Sequence, residues 1–390
     1  MLASCVRGGS DNPAVDERQQ VSVYVSSELP KAAPGVVISD DENDDNAAII
    51  IDKFAAGDLL YFSQLVPSSS PNFTNLENDA HPLYVYRYNE KDANWSEGFN
   101  FEYTDNLKIF DWDTVASLGS VGNAFSLFAF YFPTNQQTMT NPASCFHVEA
   151  DQQGTTEDMY DKSNFMKSDI MGAYHATSSL YTRLRFRLFH LMVYLKVTIY
   201  VPVYEDSDSN GTFSYSGFKE GALKDAFVMN ACTDFTIEWQ ANRSSDTEAP
   251  LTQATGDKRN IKMYRHKADE SQIIEDFNVE DYYTKEKLGM DKVRAYTFSV
   301  LFPSQQFSDN FLCFKLLAPN NETMKYYYFS SSQIIDGADN SRYGLTQGTL
   351  QELHLYLPRL TNETVLVGAN ILPWFDANTD MTVTKPQSDE

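Results

Sequence analysis

Apolar and polar residues alternate with a period of two along much of this chain. Val21-Ser22-Val23-Tyr24-Val25 and Leu83-Tyr84-Val85-Tyr86-Arg87-Tyr88 put their apolar side chains on alternate positions, the pattern of a half-buried strand. Phe125 to Phe132 is a run of β-favouring residues stopped by Pro133. From Arg183 to Tyr204 the alternation runs through Leu184, Phe186 and Leu188, then Val193, Leu195, Val197, Ile199, Val201 and Val203. Further strands are predicted at Phe235–Trp239, Ala295–Phe302, Phe311–Leu317, Tyr326–Phe329, Leu353–Leu357 and Thr364–Ile371. Clusters of Asp, Asn, Gly, Ser and Pro separate them and supply turn chemistry. Helical periodicity is scarce and predicts only short helices over Asp169–Leu180 and Glu270–Phe277. In Tyr326-Tyr327-Tyr328 the neighbours point to opposite faces, so tyrosine faces outward or into an interface on one side.

Many short strands without a βαβ rhythm predict an all-β protein of antiparallel sandwiches. A chain of 390 residues is too long for one sandwich and suits two in tandem. The polar, irregular stretch Asp151–Lys167 places the boundary within residues 150–178. The organisation predicted is a tether over 1–20, an N-terminal sandwich over 21–175 and a C-terminal sandwich over 176–390. The acidic segments Asp40–Asn46 and Glu205–Asn210 read as solvated turns.

Charge narrows the function. There are 54 acidic against 30 basic residues, a net charge of -24, which repels a phosphate backbone and argues against nucleic acid as a partner. No run has the length of an apolar transmembrane helix. Leu2-Ala3-Ser4-Cys5 matches the bacterial lipobox, in which small residues precede a cysteine that is acylated; the basic and apolar parts of a signal peptide are then expected upstream of Met1. The polar, aperiodic Val6–Gln20 suits a tether to the outer membrane. The other cysteines, at 145, 232 and 313, have no C-x-x-C spacing and read as buried free thiols in strands.

Enzymatic patterns come close and fail. Ser216-Gly217-Phe218-Lys219 is an S-x-x-K and Ser308-Asp309-Asn310 an S-D-N, yet no K-T-G follows, and the first lies in a turn-like stretch where a serine β-lactamase needs a helix. Asp206, Asp208, Asn210 and Gly211 begin like a calcium loop, but the twelfth position is Gly217 instead of a bidentate Glu. The six histidines include no i, i+4 pair, and His190 and His354 fall in strand patterns as structural residues. No catalytic residue, metal ligand or cofactor is assigned.

The order of segments resembles the fimbrillin family of Bacteroidota, the subunits of type V pili and their relatives. The resemblance is carried by Phe54-Ala55-Ala56-Gly57-Asp58-Leu59-Leu60, by Phe128-Ala129-Phe130-Tyr131-Phe132-Pro133, by Asp151-Gln152 with Ser168-Asp169-Ile170-Met171-Gly172-Ala173, by Phe186 to Val197 around His190, and by Val365–Ile371 with Trp374. It implies two transthyretin-like sandwich domains, export as a lipoprotein lipidated on Cys5, and partners among other fimbrial subunits and surface receptors. It further implies assembly by donor-strand exchange, in which a protease cuts at an arginine, the first strand leaves, and a C-terminal strand of the next subunit takes its place. Met381-Thr382-Val383-Thr384 is the candidate donor strand, its alternation turning Met381 and Val383 to one side. The processing candidates Arg7 and Arg18 both precede the first strand, and the next arginine is Arg87, so a cut at either leaves that strand attached. A tip or anchor subunit, or a non-polymerising relative, therefore fits as well as a stalk subunit. The alternative of another class is a surface lipoprotein that binds glycans for uptake, marked by an exposed aromatic shelf.

Overall fold

In this computed structural model the described residues are 22–25, 59–65, 84–88, 99–103, 125–132, 146–154, 164–177, 183–186, 188–204, 217–238, 249–266, 272–282, 284–307, 310–318, 323–331, 345–358 and 364–373. Among them the protein is all-β, with a single short helix, α1 (Asn164–Lys167).

The first half of the chain supplies β1 (Ser22–Val25), β2 (Leu59–Leu65), β3 (Tyr84–Tyr88), β4 (Phe99–Tyr103), β5 (Phe125–Phe132), β6 (Met171–Thr177), β7 (Arg183–Phe186) and β8 (Phe189–His190). They form one eight-stranded sheet in the order β7-β1-β4-β3-β2-β5-β6-β8, so the sheet continues past residue 175 to His190. All its pairs are antiparallel except β1 with β7. The sheet curls on itself. The buried Phe186 of β7 packs 5.3 Å from the ring of Phe62 on β2 and 5.9 Å from His175 on β6.

The second half supplies β9 (Met192–Pro202), β10 (Leu223–Glu238), β11 (Leu251–Lys262), β12 (Tyr264–Arg265), β13 (Ile273–Glu280), β14 (Lys287–Pro303), β15 (Asn310–Leu317), β16 (Met324–Ser330), β17 (Thr349–Tyr356) and β18 (Val365–Pro373). One sheet has the order β11-β10-β15-β16; the other is β12-β14-β9-β17-β18, with β13 also on β14. Alternation builds the sandwich: Val193, Leu195, Val197 and Ile199 of β9 are buried, as are Phe298, Val300 and Phe302 of β14 and Leu312, Phe314 and Leu316 of β15. These belong to one core that extends into the first half. Phe130 of β5 meets Phe146 edge-on at 5.7 Å, and Phe146 meets Phe235 of β10 at 5.7 Å, so aromatic rings carry the core from the eight-stranded sheet to β10.

Both predicted helices are corrected to strands. Met171–Thr177 is β6, paired with β5 from Met171 to Thr177 and with β8 at its start. Met171, Ala173 and Tyr174 are buried although they point to both faces, so consecutive apolar residues imitate helical spacing. Gly172 adds a packing constraint, because a Cβ there would lie 3.0 Å from Leu191 Cδ1 and 3.1 Å from Pro250 Cγ. Glu270–Phe277 gives way to β13, which pairs with β14 in a hairpin. Long-range pairing overrides a local preference that scarce helical periodicity only suggested.

Candidate functional site

Three places can carry function without chemistry: an inserted strand, a polar junction and a sheet edge. Strand β1 lies inside the eight-stranded sheet. Val23, Tyr24 and Val25 stand opposite Phe101, Asn100 and Phe99 of β4, while Ser22 to Val25 run parallel to Arg183 to Phe186 of β7. The strands on either side are far away in sequence. Withdrawal of β1 would uncover a backbone edge on β4 and another on β7, together a groove that accepts one strand. Arg87 sits within β3, opposite Leu59 of β2 and Glu102 of β4. Cys5, Arg7, Arg18, Met381, Thr382, Val383 and Thr384 lie outside the described residues, as do Trp374, Ser216, Ser308 and the segment Asp206–Gly211.

The junction gathers the polar residues of the ordered motifs. Residues 146–154 run beside β10 and the end of β11: Val148 N donates to Thr233 O, Phe235 N to Phe146 O, Lys262 N to Ala150 O and Gln152 N to Lys262 O, at 2.9, 2.9, 2.7 and 3.0 Å. Gln152 is fully buried, and its amide copies a strand neighbour. Its Nε2 donates to Leu301 O at 2.6 Å and its Oε1 accepts from Leu301 N at 2.9 Å. That completes the outer edge of β14 at this point and ties the segment to the second sheet of the sandwich. Asp151 holds the turn that follows, its Oδ1 accepting from Gly154 N at 3.2 Å and its carbonyl from Asn164 Nδ2 at 2.8 Å. Ser168 closes the loop, accepting from Glu149 N at 2.9 Å and donating to Asn164 O at 2.8 Å. Asp169 and His190 then pair at 2.7 Å between Oδ1 and Nδ1, both almost fully buried. His190 thus lies in a strand with its Nδ1 held by a buried carboxylate. The arrangement fastens backbone to backbone, and it aligns no nucleophile with a base.

The edge is β16. Tyr327 is fully buried with its hydroxyl donating to Pro358 O at 3.0 Å, while Tyr326 and Tyr328 are 43% and 38% exposed. The predicted split of the three tyrosines between two faces holds. Opposite Tyr328 on β15 stands Cys313, a buried free thiol whose pKa is pushed up by burial, as suits an unreactive cysteine. Cys232 is also free, half-buried in β10. His354 lies beside Tyr200, whose hydroxyl is 3.1 Å from its Nδ1, and burial lowers its pKa; it stands over Gly368, where a Cβ would come within 3.3 Å of the ring-bearing carbon.

No family model matches the chain, and no curated protein matches it. Solved structures do. A candidate cell adhesion protein from Bacteroides uniformis shares 12% identity over 93% of this chain and 100% of that one, with a TM-score of 0.46. A second such protein, from Bacteroides ovatus, shares 10% identity over 90% and 96%, with a TM-score of 0.40. The fimbrial anchor protein Mfa2 from Porphyromonas gingivalis shares 10% identity over 90% and 97%, with a TM-score of 0.32. The structural neighbours are therefore cell adhesion and fimbrial proteins of Bacteroidales. At identities and TM-scores this low, likeness does not transfer function, and the chain's own residues must carry it.

Proposed function

We propose that this chain is a non-enzymatic fimbrial or adhesion subunit at the cell surface, built of two transthyretin-like sandwich domains and anchored to the outer membrane through Cys5. Its partners are other fimbrial subunits, and its assembly proceeds by strand exchange in the eight-stranded sheet. The position of β1 supports this most directly. A four-residue strand paired on both edges, with a parallel neighbour on one side, leaves a ready-made trough when it goes. The ordered family motifs agree, and their polar members meet at one junction instead of a catalytic cleft.

The arginines bear on which subunit it is. Arg7 and Arg18 precede Ser22, and Arg87 is the next, so cleavage after either early arginine shortens the tether and retains β1. A tip or anchor subunit, in which β1 leaves only when another strand displaces it, therefore fits as well as a stalk subunit that loses β1 to cleavage.

The test places a specific protease site in the segment between Val25 and Leu59, cleaves the folded protein, and offers two labelled peptides, one spanning 20–27 and one spanning 379–386. Exchange of both, each competing with the other, is the expected result. Retention of the original strand against both peptides would overturn strand exchange. Uptake of the β1 peptide alone would remove the donor role from Met381 to Thr384 and leave a terminal subunit.

A further inference from the structure

The chain crosses from one sheet of the C-terminal sandwich to the other between Lys262, the end of β11, and Tyr264, the start of β12. A cavity of about 230 Å³ opens at this crossing. Its floor is apolar, made by Met263 and Phe298, each 1% exposed. Its walls are cationic: Lys224, Lys262 and Arg265 line it with a single carboxylate, Asp225. In a chain with a net charge of -24 this is a local reversal of sign.

Asp225 does not cancel it. The Asp225 carboxylate is shared between Lys262 at 3.1 Å and Lys315 at 4.0 Å, and Lys315 does not line the cavity. Arg265 is held in place by three contacts. Its Nη1 donates to Leu223 O at 2.7 Å, its guanidinium carbon lies 5.2 Å from the Tyr296 ring centre, and its backbone N donates to Gln153 Oε1 at 2.9 Å. Gln153 itself lines the cavity. A guanidinium fixed in this way loses little freedom on meeting a carboxylate. Screening confines the repulsion of distant acidic residues to about 8 Å at physiological salt, so the local cations govern entry.

We infer that this cavity binds a small organic monocarboxylate, with Arg265 and Lys224 on the carboxylate and Met263 and Phe298 under the rest of the molecule. The volume is below the roughly 300–1,000 Å³ of pockets for larger ligands, which limits the occupant to one sugar ring or one side chain. Asp225 on the same wall disfavours a second negative charge. The carboxylate can come from a sugar acid or from an acidic side chain.

Calorimetric titration of the full chain tests this with glucuronate, with the α-amide of N-acetylglutamate, and with glucose as the neutral control. Saturable binding of either acid, absent for glucose and weakened about tenfold or more in Arg265→Gln, is the expected result. The acid that binds tells the two sources apart. Because Arg265 also packs on Tyr296, Lys224→Glu on the exposed rim provides a second variant, expected to weaken binding by a similar factor while leaving the fold intact. The inference is overturned if neither acid saturates, if glucose binds as well as glucuronate, or if binding survives unchanged in a folded variant of either residue.

Discussion

Gln152 illustrates how much one buried polar side chain can hold. Its amide is the partner of both the N–H and the C=O of Leu301. Gln152→Leu removes two hydrogen bonds and strands two buried backbone groups at roughly 1–3 kcal/mol each. A loss of about 2–5 kcal/mol in urea unfolding is expected; a loss under about 1 kcal/mol would show that the edge of β14 finds other partners. Tyr327 makes the complementary case by titration. Burial pushes its hydroxyl up to about 12, against 10.0 for an ordinary tyrosine. The folded protein thus keeps a proton that the unfolded chain releases, so the contribution is complete below pH 10 and fades as pH rises through about 12. Stability measured between those limits should fall more steeply for the wild type than for Tyr327→Phe, and equal slopes would contradict the assignment. Neither role was legible locally. The sequence marks Gln152 and Tyr327 as motif and strand residues, but the partners, Leu301 and Pro358, lie 149 and 31 positions away.

Among the elements, strands with at least one dry face were legible and those without one were not. Phe125–Phe132 is predicted and found with the same limits, because its run of β-favouring residues is buried on both faces from Ser126 to Tyr131 and Pro133 follows it in the sequence. Strand β11 was not predicted. Its sequence, Leu251 to Lys262, is mostly polar, and the strand lies at a sheet edge with most residues exposed on both faces. Period two requires a wet face and a dry one, and an edge strand of this kind has little of the second. Its lysine and arginine at 258 and 259 suit an edge that must not pair further. Strand β1 depends on pairing even more, being only four residues long. Cleavage between Val25 and Leu59 with removal of the strand should raise amide exchange in Arg183–Phe186, whose only neighbour among the described strands is β1, and in Phe99–Tyr103. Exchange in β9 and β14, which pair over eleven positions from Pro202 to Met192, should stay slow. Unchanged exchange in β7 would mean that Phe186 packing alone holds it.

At the scale of the molecule, the proposal joins an anchored N-terminus to a sheet whose first strand is exchangeable. Replacing Cys5 by Ser in the full-length precursor is expected to move the protein from the membrane fraction to the soluble periplasm, with its thermal unfolding unchanged. Persistent membrane association would remove the lipid anchor from the account. The sandwiches themselves follow from alternation, because a strand with one apolar face must bury it against another sheet. Composition and pattern by themselves determined the all-β class, the strands that line the core, and the net charge of -24. Tertiary structure alone decided the sheet order, the insertion of β1 between β4 and β7, the meeting of Asp151-Gln152, Ser168-Asp169 and His190 at one junction, and the cationic cavity where the chain changes sheets. The physical reason is range. Alternation records which face of a residue is dry, a property of near neighbours, whereas pairing partners and convergent charges depend on contacts between residues far apart, which local pattern does not encode.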